Sequence, residues 1–132
     1  MSKTKRPWGY WEVLKEEPGR KIKLLNVKPG QSLSKQRHFK RTELWLCIEG
    51  NGILKMHGDT RFALEPGESS FIDVEEWHQL VNASEENLVV LEVQEGEECS
   101  EEDIEREDYK RIQKDLTSLN ADGDDESMIE ED

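Results

Sequence analysis

Gln36, His38, Glu43 and His78 are the residues of this sequence whose types and spacing suit the binding of a cation. Alternate side chains of an extended strand share a face, so Gln36 and His38 point the same way. The segment Phe39-Lys40-Arg41-Thr42 is polar enough to turn, and Glu43 then opens a strand whose Trp45 and Cys47 share its face. Leu44, Leu46 and Ile48 cover the opposite face. His78 follows much later, just after the turn-like Asp73-Val74-Glu75-Glu76-Trp77. Two imidazoles, a carboxylate and an amide oxygen form a mixed nitrogen and oxygen donor set. Such a set suits zinc first, with manganese, cobalt or iron as alternatives, and leaves coordination positions for water or substrate. Singly these residues say little, because a histidine beside a strand is more often structural than ligating.

The elements that must position them are short. Apolar runs of mixed or period-two character fill the chain from Trp8 to Gln94: YWEVLKE, KIKLLNV, ELWLCIE, GILKMHG, RFALE, SSFIDV, HQLVNA and NLVVLEVQ. Turn chemistry separates them at Pro18-Gly19, Pro29-Gly30, Gly50-Asn51-Gly52, Gly58-Asp59, Pro66-Gly67 and Asn82-Ala83-Ser84. Eight strands at such spacing predict an all-β sandwich or barrel over residues 1–96. Residues 97–116 read as a short helix or ordered arm, because Ile104, Ile112 and Leu116 fall at helical offsets and Ser100 precedes three acids. Residues 117–132 carry almost no apolar content and read as a disordered acidic tail.

Charge narrows the function classes. The formal net charge is −13, yet residues 1–94 hold 14 acidic and 14 basic side chains, so the whole excess lies in residues 95–132. A neutral body with an acidic tail does not suit a polyanion, which argues against nucleic acid as a partner. No apolar run approaches a membrane span, and MSKTKRPWGYW lacks the core of a secretory signal. Cys47 and Cys99 form no paired motif, so a reduced cytoplasmic chain is expected.

The spacing of the candidate ligands resembles the cupin family. Gly30, then Gln36-Arg37-His38, Glu43 and Gly50 follow the first cupin motif, with glutamine for its first histidine. Gly67, Asp73-Val74-Glu75, His78 and Asn82 follow the second, with its Pro-x-Gly replaced. A closer resemblance is to type II mannose-6-phosphate isomerases, usually found fused behind a mannose-1-phosphate guanylyltransferase. It is carried by Arg6, Pro7, Trp8, Gly9, Leu33, Ser34, Gln36, His38, Arg41, Glu43 and Trp45, and by EEDIEREDYKR near the end. Departures are Phe39, Lys40 and Leu44, where that family carries histidines, and the FIDVEEWH turn.

This resemblance implies a double-stranded β-helix (jelly-roll) barrel with a divalent metal on Gln36, His38, Glu43 and His78. It also implies interconversion of mannose 6-phosphate and fructose 6-phosphate, with Arg106 in catalysis. Arg106 is equally suited to salt bridging, and Arg41 either to gripping a sugar phosphate or to a solvated strand end. Lys40 or a metal-bound hydroxide is the candidate base. Rivals are another metal-binding cupin enzyme, such as an oxygenase, or a barrel that binds sugars without turnover. The two-sided apolar strand Leu44–Ile48 suits a homodimer or sheet-on-sheet packing.

Overall fold

Side-chain alternation decides where the strands form and which way they face. A computed structural model describes residues 3–58 and 60–107. In chain order its strands are β1 (Lys3–Arg6), β2 (Gly9–Glu17), β3 (Arg20–Val27), β4 (Gln36–Arg37), β5 (Arg41–Glu49), β6 (Gly52–Lys55), β7 (Arg61–Leu64), β8 (Ser69–Ile72), β9 (Gln79–Val81), β10 (Leu88–Gly96) and β11 (Glu105–Arg106). All eight expected strands are present. β4 falls where Gln36 and His38 read as extended, whereas the short β1 and β11 are additional, since two to four polar residues show no period.

Six strands form one sheet in the order β1-β2-β3-β10-β5-β8, and three form a second in the order β7-β6-β9. Every pairing is antiparallel. The core lies between the sheets: Leu25, Val27, Trp45, Cys47, Leu88 and Val90 meet Leu54, Leu64 and Leu80. Isolated bridges from Ser32 to Val81 and from Gln36 to His78 stitch the loop after β3 onto β9 and help close the barrel. The Gly50 turn is held by close packing, since a Cβ there would sit 2.2 Å from the Asn87 carbonyl oxygen.

Register divides the interior into two halves. Leu25, Val90 and Cys47 lie in one row across β3, β10 and β5, with Val27 beside Leu88 at the same end. Nearer the other end, Lys23, Glu92 and Trp45 form a row, and Lys21, Gln94 and Glu43 the next. Lys21, Lys23, Glu43, Glu92 and Gln94 are all buried. One end of the barrel is therefore an apolar core and the other a polar chamber, because antiparallel pairing aligns the polar ends of three strands.

The expected helix after residue 97 is absent from the described part of that segment. Residues 100–103 form a turn in which the Ser100 hydroxyl accepts from the Glu102 amide at 3.0 Å, and Glu105–Arg106 then pairs with β4. The arm reading holds to residue 107. Ser100 caps a turn instead of a helix because the next residues spend their hydrogen bonds on the barrel: Asp103 accepts from the Phe39 and Lys40 amides at 2.9 Å each. Residues 108–116 of the arm and the whole of the expected tail, 117–132, lie outside the described residues. Among the described residues no helix is long and apolar enough to cross a membrane.

Candidate metal centre

His38, Glu43 and His78 converge in the polar chamber, with their ligand atoms all within 4.8 Å of one another. Each is at least 97% buried. Glu43 comes from the inward row of β5, His38 from the turn just before it, and His78 from the residue that leads into β9. Two backbone links hold the histidines in place. Gln36 and His78 exchange amide-to-carbonyl bonds of 2.9 Å, and the Glu75 amide donates to the His38 carbonyl at 2.6 Å.

Glu75 occupies the place of the glycine in the second cupin motif and retains a left-handed backbone, with φ at 61°. The preceding Asp73 makes this turn possible without proline or glycine. Its side chain accepts from the Val74 amide at 2.8 Å, and its own amide donates to the Glu76 carboxylate at 2.9 Å. The FIDVEEWH departure thus keeps the path of the turn by side-chain hydrogen bonding, and His78 keeps its place.

The imidazoles are oriented by their outer nitrogens. His38 Nδ1 lies 2.7 Å from the Asp103 carbonyl oxygen and His78 Nδ1 lies 2.8 Å from that of Glu76. A carbonyl accepts only, so each Nδ1 carries a proton, and each ring turns its Nε2 inward. Those nitrogens stand 3.3 Å and 3.5 Å from the Glu43 carboxylate. His78 Nε2 is fully buried and has no hydrogen-bond partner, and its 3.5 Å contact is too long to be a good hydrogen bond. Two inward ring nitrogens beside a carboxylate, one of them orphaned in the interior, fit a divalent cation of the zinc, manganese, iron or cobalt type.

Glu43 is itself held on several sides. Arg41 Nε and Nη2 donate to its Oε2 at 2.9 Å and 2.8 Å, and Trp45 Nε1 reaches Oε1 at 3.2 Å. Burial would raise the carboxyl pKa, but the charge of His38, the His78 contact and the Arg41 guanidinium together hold it well below the usual carboxylate range. Its stabilising contribution is therefore present through neutral pH and is lost as the pH falls below that range.

The other expected site residues fall in distinct places. Gln36 is buried beside the histidines, and its Nε2 is anchored on the Ser34 hydroxyl at 3.1 Å. Arg41 is buried at the end of β5, where its Nη1 donates to the Ser100 carbonyl at 2.9 Å and its Nη2 lies 3.3 Å from His38 Nε2. That placement removes the solvated-strand-end reading. Arg106 lies opposite Gln36 in the β4–β11 pair, so the arm brings it to the rim of the chamber. Lys40 points outward. Its ammonium pairs with Glu98 at 3.1 Å with its side chain 49% exposed, and the Glu98 contacts raise its pKa, which is the reverse of what a base needs. Asn82, the last motif residue, donates to the carbonyls of Val27 and Glu86 at 2.9 Å and 2.8 Å and acts as a strand tie.

Sequence reasoning missed Lys21, Lys23, Glu92 and Gln94. Their pattern was readable as a strand, but Ile22 and Leu24 were the natural inward choice. No sequence signal favours the opposite choice, because β3, β5 and β10 are apolar on the outer face too. Ile22, Leu24, Leu44, Leu46, Ile48, Val89, Leu91 and Val93 alternate with the buried set.

Comparison with known proteins agrees with this geometry. The chain matches the family "Mannose-6-phosphate isomerase C-terminal" over residues 1–109. It is 37% identical over 99 residues to a mannose-1-phosphate guanylyltransferase of Klebsiella pneumoniae, covering 75% of this chain and 21% of that protein. Over 101 residues it is 35% identical to the alginate biosynthesis protein AlgA of Pseudomonas aeruginosa, covering 76% and 21%. The chain thus spans about a fifth of the length of these curated relatives. Among solved structures, a Klebsiella pneumoniae protein with a double-stranded β-helix domain superposes with a TM-score of 0.65 at 16% identity, over 71% of this chain and 79% of that one. A sugar phosphate isomerase of the cupin superfamily from Silicibacter pomeroyi gives 0.55 at 20% identity, over 58% and 50%. With the barrel and the buried His-Glu-His group in place, the chain belongs to the mannose-6-phosphate isomerase C-terminal family and carries its cupin double-stranded β-helix.

Proposed function

We propose that this chain is a metal-dependent aldose-ketose isomerase that interconverts mannose 6-phosphate and fructose 6-phosphate. The observation that carries the proposal is the buried group of His38, Glu43 and His78, with both Nε2 atoms turned inward, in a chain of this family. A divalent ion held there by the two imidazoles, Glu43 and the Gln36 amide would supply Lewis acidity toward the sugar's C1 and C2 oxygens. The chain's own residues supply the rest. Arg41 keeps Glu43 ionised and Asp103 keeps His38 in the required tautomer. The arm pairs with β4 and so carries Arg106 beside Gln36, from where its guanidinium can steady negative charge on the reacting oxygens. The net chemistry is transfer of one proton between C2 and C1, with the carbonyl and hydroxyl exchanging places.

Cys47 and Cys99 are both free thiols, which suits a reducing compartment, and we place the protein in the cytoplasm. The outer face of the six-stranded sheet exposes Leu44, Ile48 and Phe71, and we assign it to a second copy of the chain. The test of function is conversion of mannose 6-phosphate to fructose 6-phosphate by the purified chain, with metal content measured on the same sample. Turnover should vanish with EDTA and return with the metal. Undiminished turnover by His78→Ala protein overturns the assignment. A second reading, a barrel that binds sugars without turnover, draws on one observation: Arg41 already places a cation against Glu43 and His38. A thermal shift from sugar phosphates with no conversion would select it.

A further inference from the structure

We propose that Lys21 and Lys23 form the subsite for the substrate's phosphate, and that the Glu101 carboxylate of the arm occupies this subsite until phosphate displaces it. Only the identity of the sugar rests on the isomerase reading; the anion subsite stands on its own geometry.

Lysine is rarely buried, because its ammonium loses hydration that only well-placed partners replace. Here two lie side by side in the interior. The Lys23 side chain is fully buried, and its Nζ sits 4.0 Å above the Trp11 ring. The Lys21 side chain is 7% exposed. Both converge on one carboxylate. Lys21 Nζ is 3.0 Å from Glu101 Oε2, and Lys23 Nζ is 3.2 Å from each Glu101 oxygen. Two further acids of the described residues lie farther off, Glu92 at 3.9 Å from Lys23 and Glu16 at 3.7 Å from Lys21.

The origin of that carboxylate is what distinguishes this cluster from a structural ion pair. Glu101 does not belong to the barrel wall. It sits on the arm, with its side chain 32% exposed, against 7% for Lys21 and 0% for Lys23. An acceptor-only group held by two ammoniums is chemically what a phosphate monoester presents. The buried lysines belong to β3, whereas their counter-ion comes from the turn at residues 100–103 and can turn its side chain out toward solvent.

A second observation lies between this cluster and the candidate metal centre. Lys21, Gln94 and Glu43 face one another across three neighbouring strands, so the lysine and the carboxylate are two strand spacings, or about 10 Å, apart. Gln94 is fully buried, and its Nε2 donates to Glu92 at 2.9 Å. Its Oε1 is buried without any donor. An orphaned acceptor in mid-row suits a sugar hydroxyl. A phosphorylated open-chain sugar would lie along this row, with its carbonyl end at Glu43 and His78, a hydroxyl at Gln94 and its phosphate at the lysines.

The test measures binding by calorimetry on the full chain, with inorganic phosphate, mannose 6-phosphate and mannose as probes. Glu101→Gln should tighten both phosphate-bearing probes about tenfold, because the occupant loses its charge, and should leave mannose unchanged. Lys21→Met should weaken the same two probes about tenfold, with Lys21→Arg recovering most of the loss. Lys21 is chosen over the more deeply buried Lys23 so that folding survives. A Glu101→Gln protein that binds phosphate no tighter than wild type would make Glu101 a structural latch and overturn the proposal, as would a Lys21→Met protein of unaltered phosphate affinity. Failure of the isomerase assay leaves these affinities untouched, and turnover with unaltered affinities sinks the subsite alone.

Discussion

Replacing Arg41 by methionine tests the centre of the site most directly. The Arg41 and Glu43 side chains are each 1% exposed, and the guanidinium makes contacts of 2.9 Å and 2.8 Å to one carboxylate oxygen. Methionine keeps much of the volume but leaves a buried carboxylate without that cation. Loss of one partner of a buried pair costs about 3–5 kcal/mol. For a domain of this size each kcal/mol shifts Tm by about 4–8 °C, so the metal-free Arg41→Met protein should melt at least about 12 °C below wild type at pH 7. A divalent ion at His38, Glu43 and His78 would return positive charge to the same carboxylate. At a hundredfold excess over its Kd it should restore about 2.7 kcal/mol. Differential scanning calorimetry with EDTA and then with zinc or manganese measures both effects. A fall of less than about 5 °C would refute the claim that Arg41 holds Glu43 in its buried charged state. A larger fall that neither metal reduces would refute the claim that this carboxylate faces a cation site.

The other expectations concern residues around the site. Glu75→Gly should raise stability by up to about 1 kcal/mol in urea titration, because glycine adopts φ of 61° without the Cβ penalty, partly offset by its freedom when unfolded. Lys40→Met should leave the isomerase rate and its pH profile unchanged, as the ammonium points outward to Glu98; a lost basic limb would return Lys40 to catalysis. Ile48→Asp and Phe71→Asp should each convert a dimer to a monomer in light scattering, since those side chains are 49% and 58% exposed on one sheet face. A wild-type chain that is already monomeric would dismiss that interface.

How much was legible before folding can be judged from particular residues. The eight main strands were readable because turn residues punctuate β-prone runs, and His38, Glu43 and His78 because motif spacing fixes which strand each side chain leaves. Between the helix and the arm that residues 97–116 allow, the sequence does not choose: local capping chemistry is the same in a turn, and only contact with the 38–40 loop shows where the Asp103 hydrogen bonds go. Lys40 and Arg41, adjacent and both cationic, were not separable by sequence. Strand parity sends one out to Glu98 and the other in to Glu43.

The sequence by itself determined an all-β barrel of this family and a cluster of cation-binding side chains, because alternation and spacing are local properties of the chain. Only the tertiary structure decided that Lys21, Lys23, Glu92 and Gln94 face inward and that the arm closes over them. On a strand apolar on both faces, alternation alone cannot tell inside from outside. Which face is buried is set by the pairing of β3, β10 and β5, whose register brings three polar strand ends together.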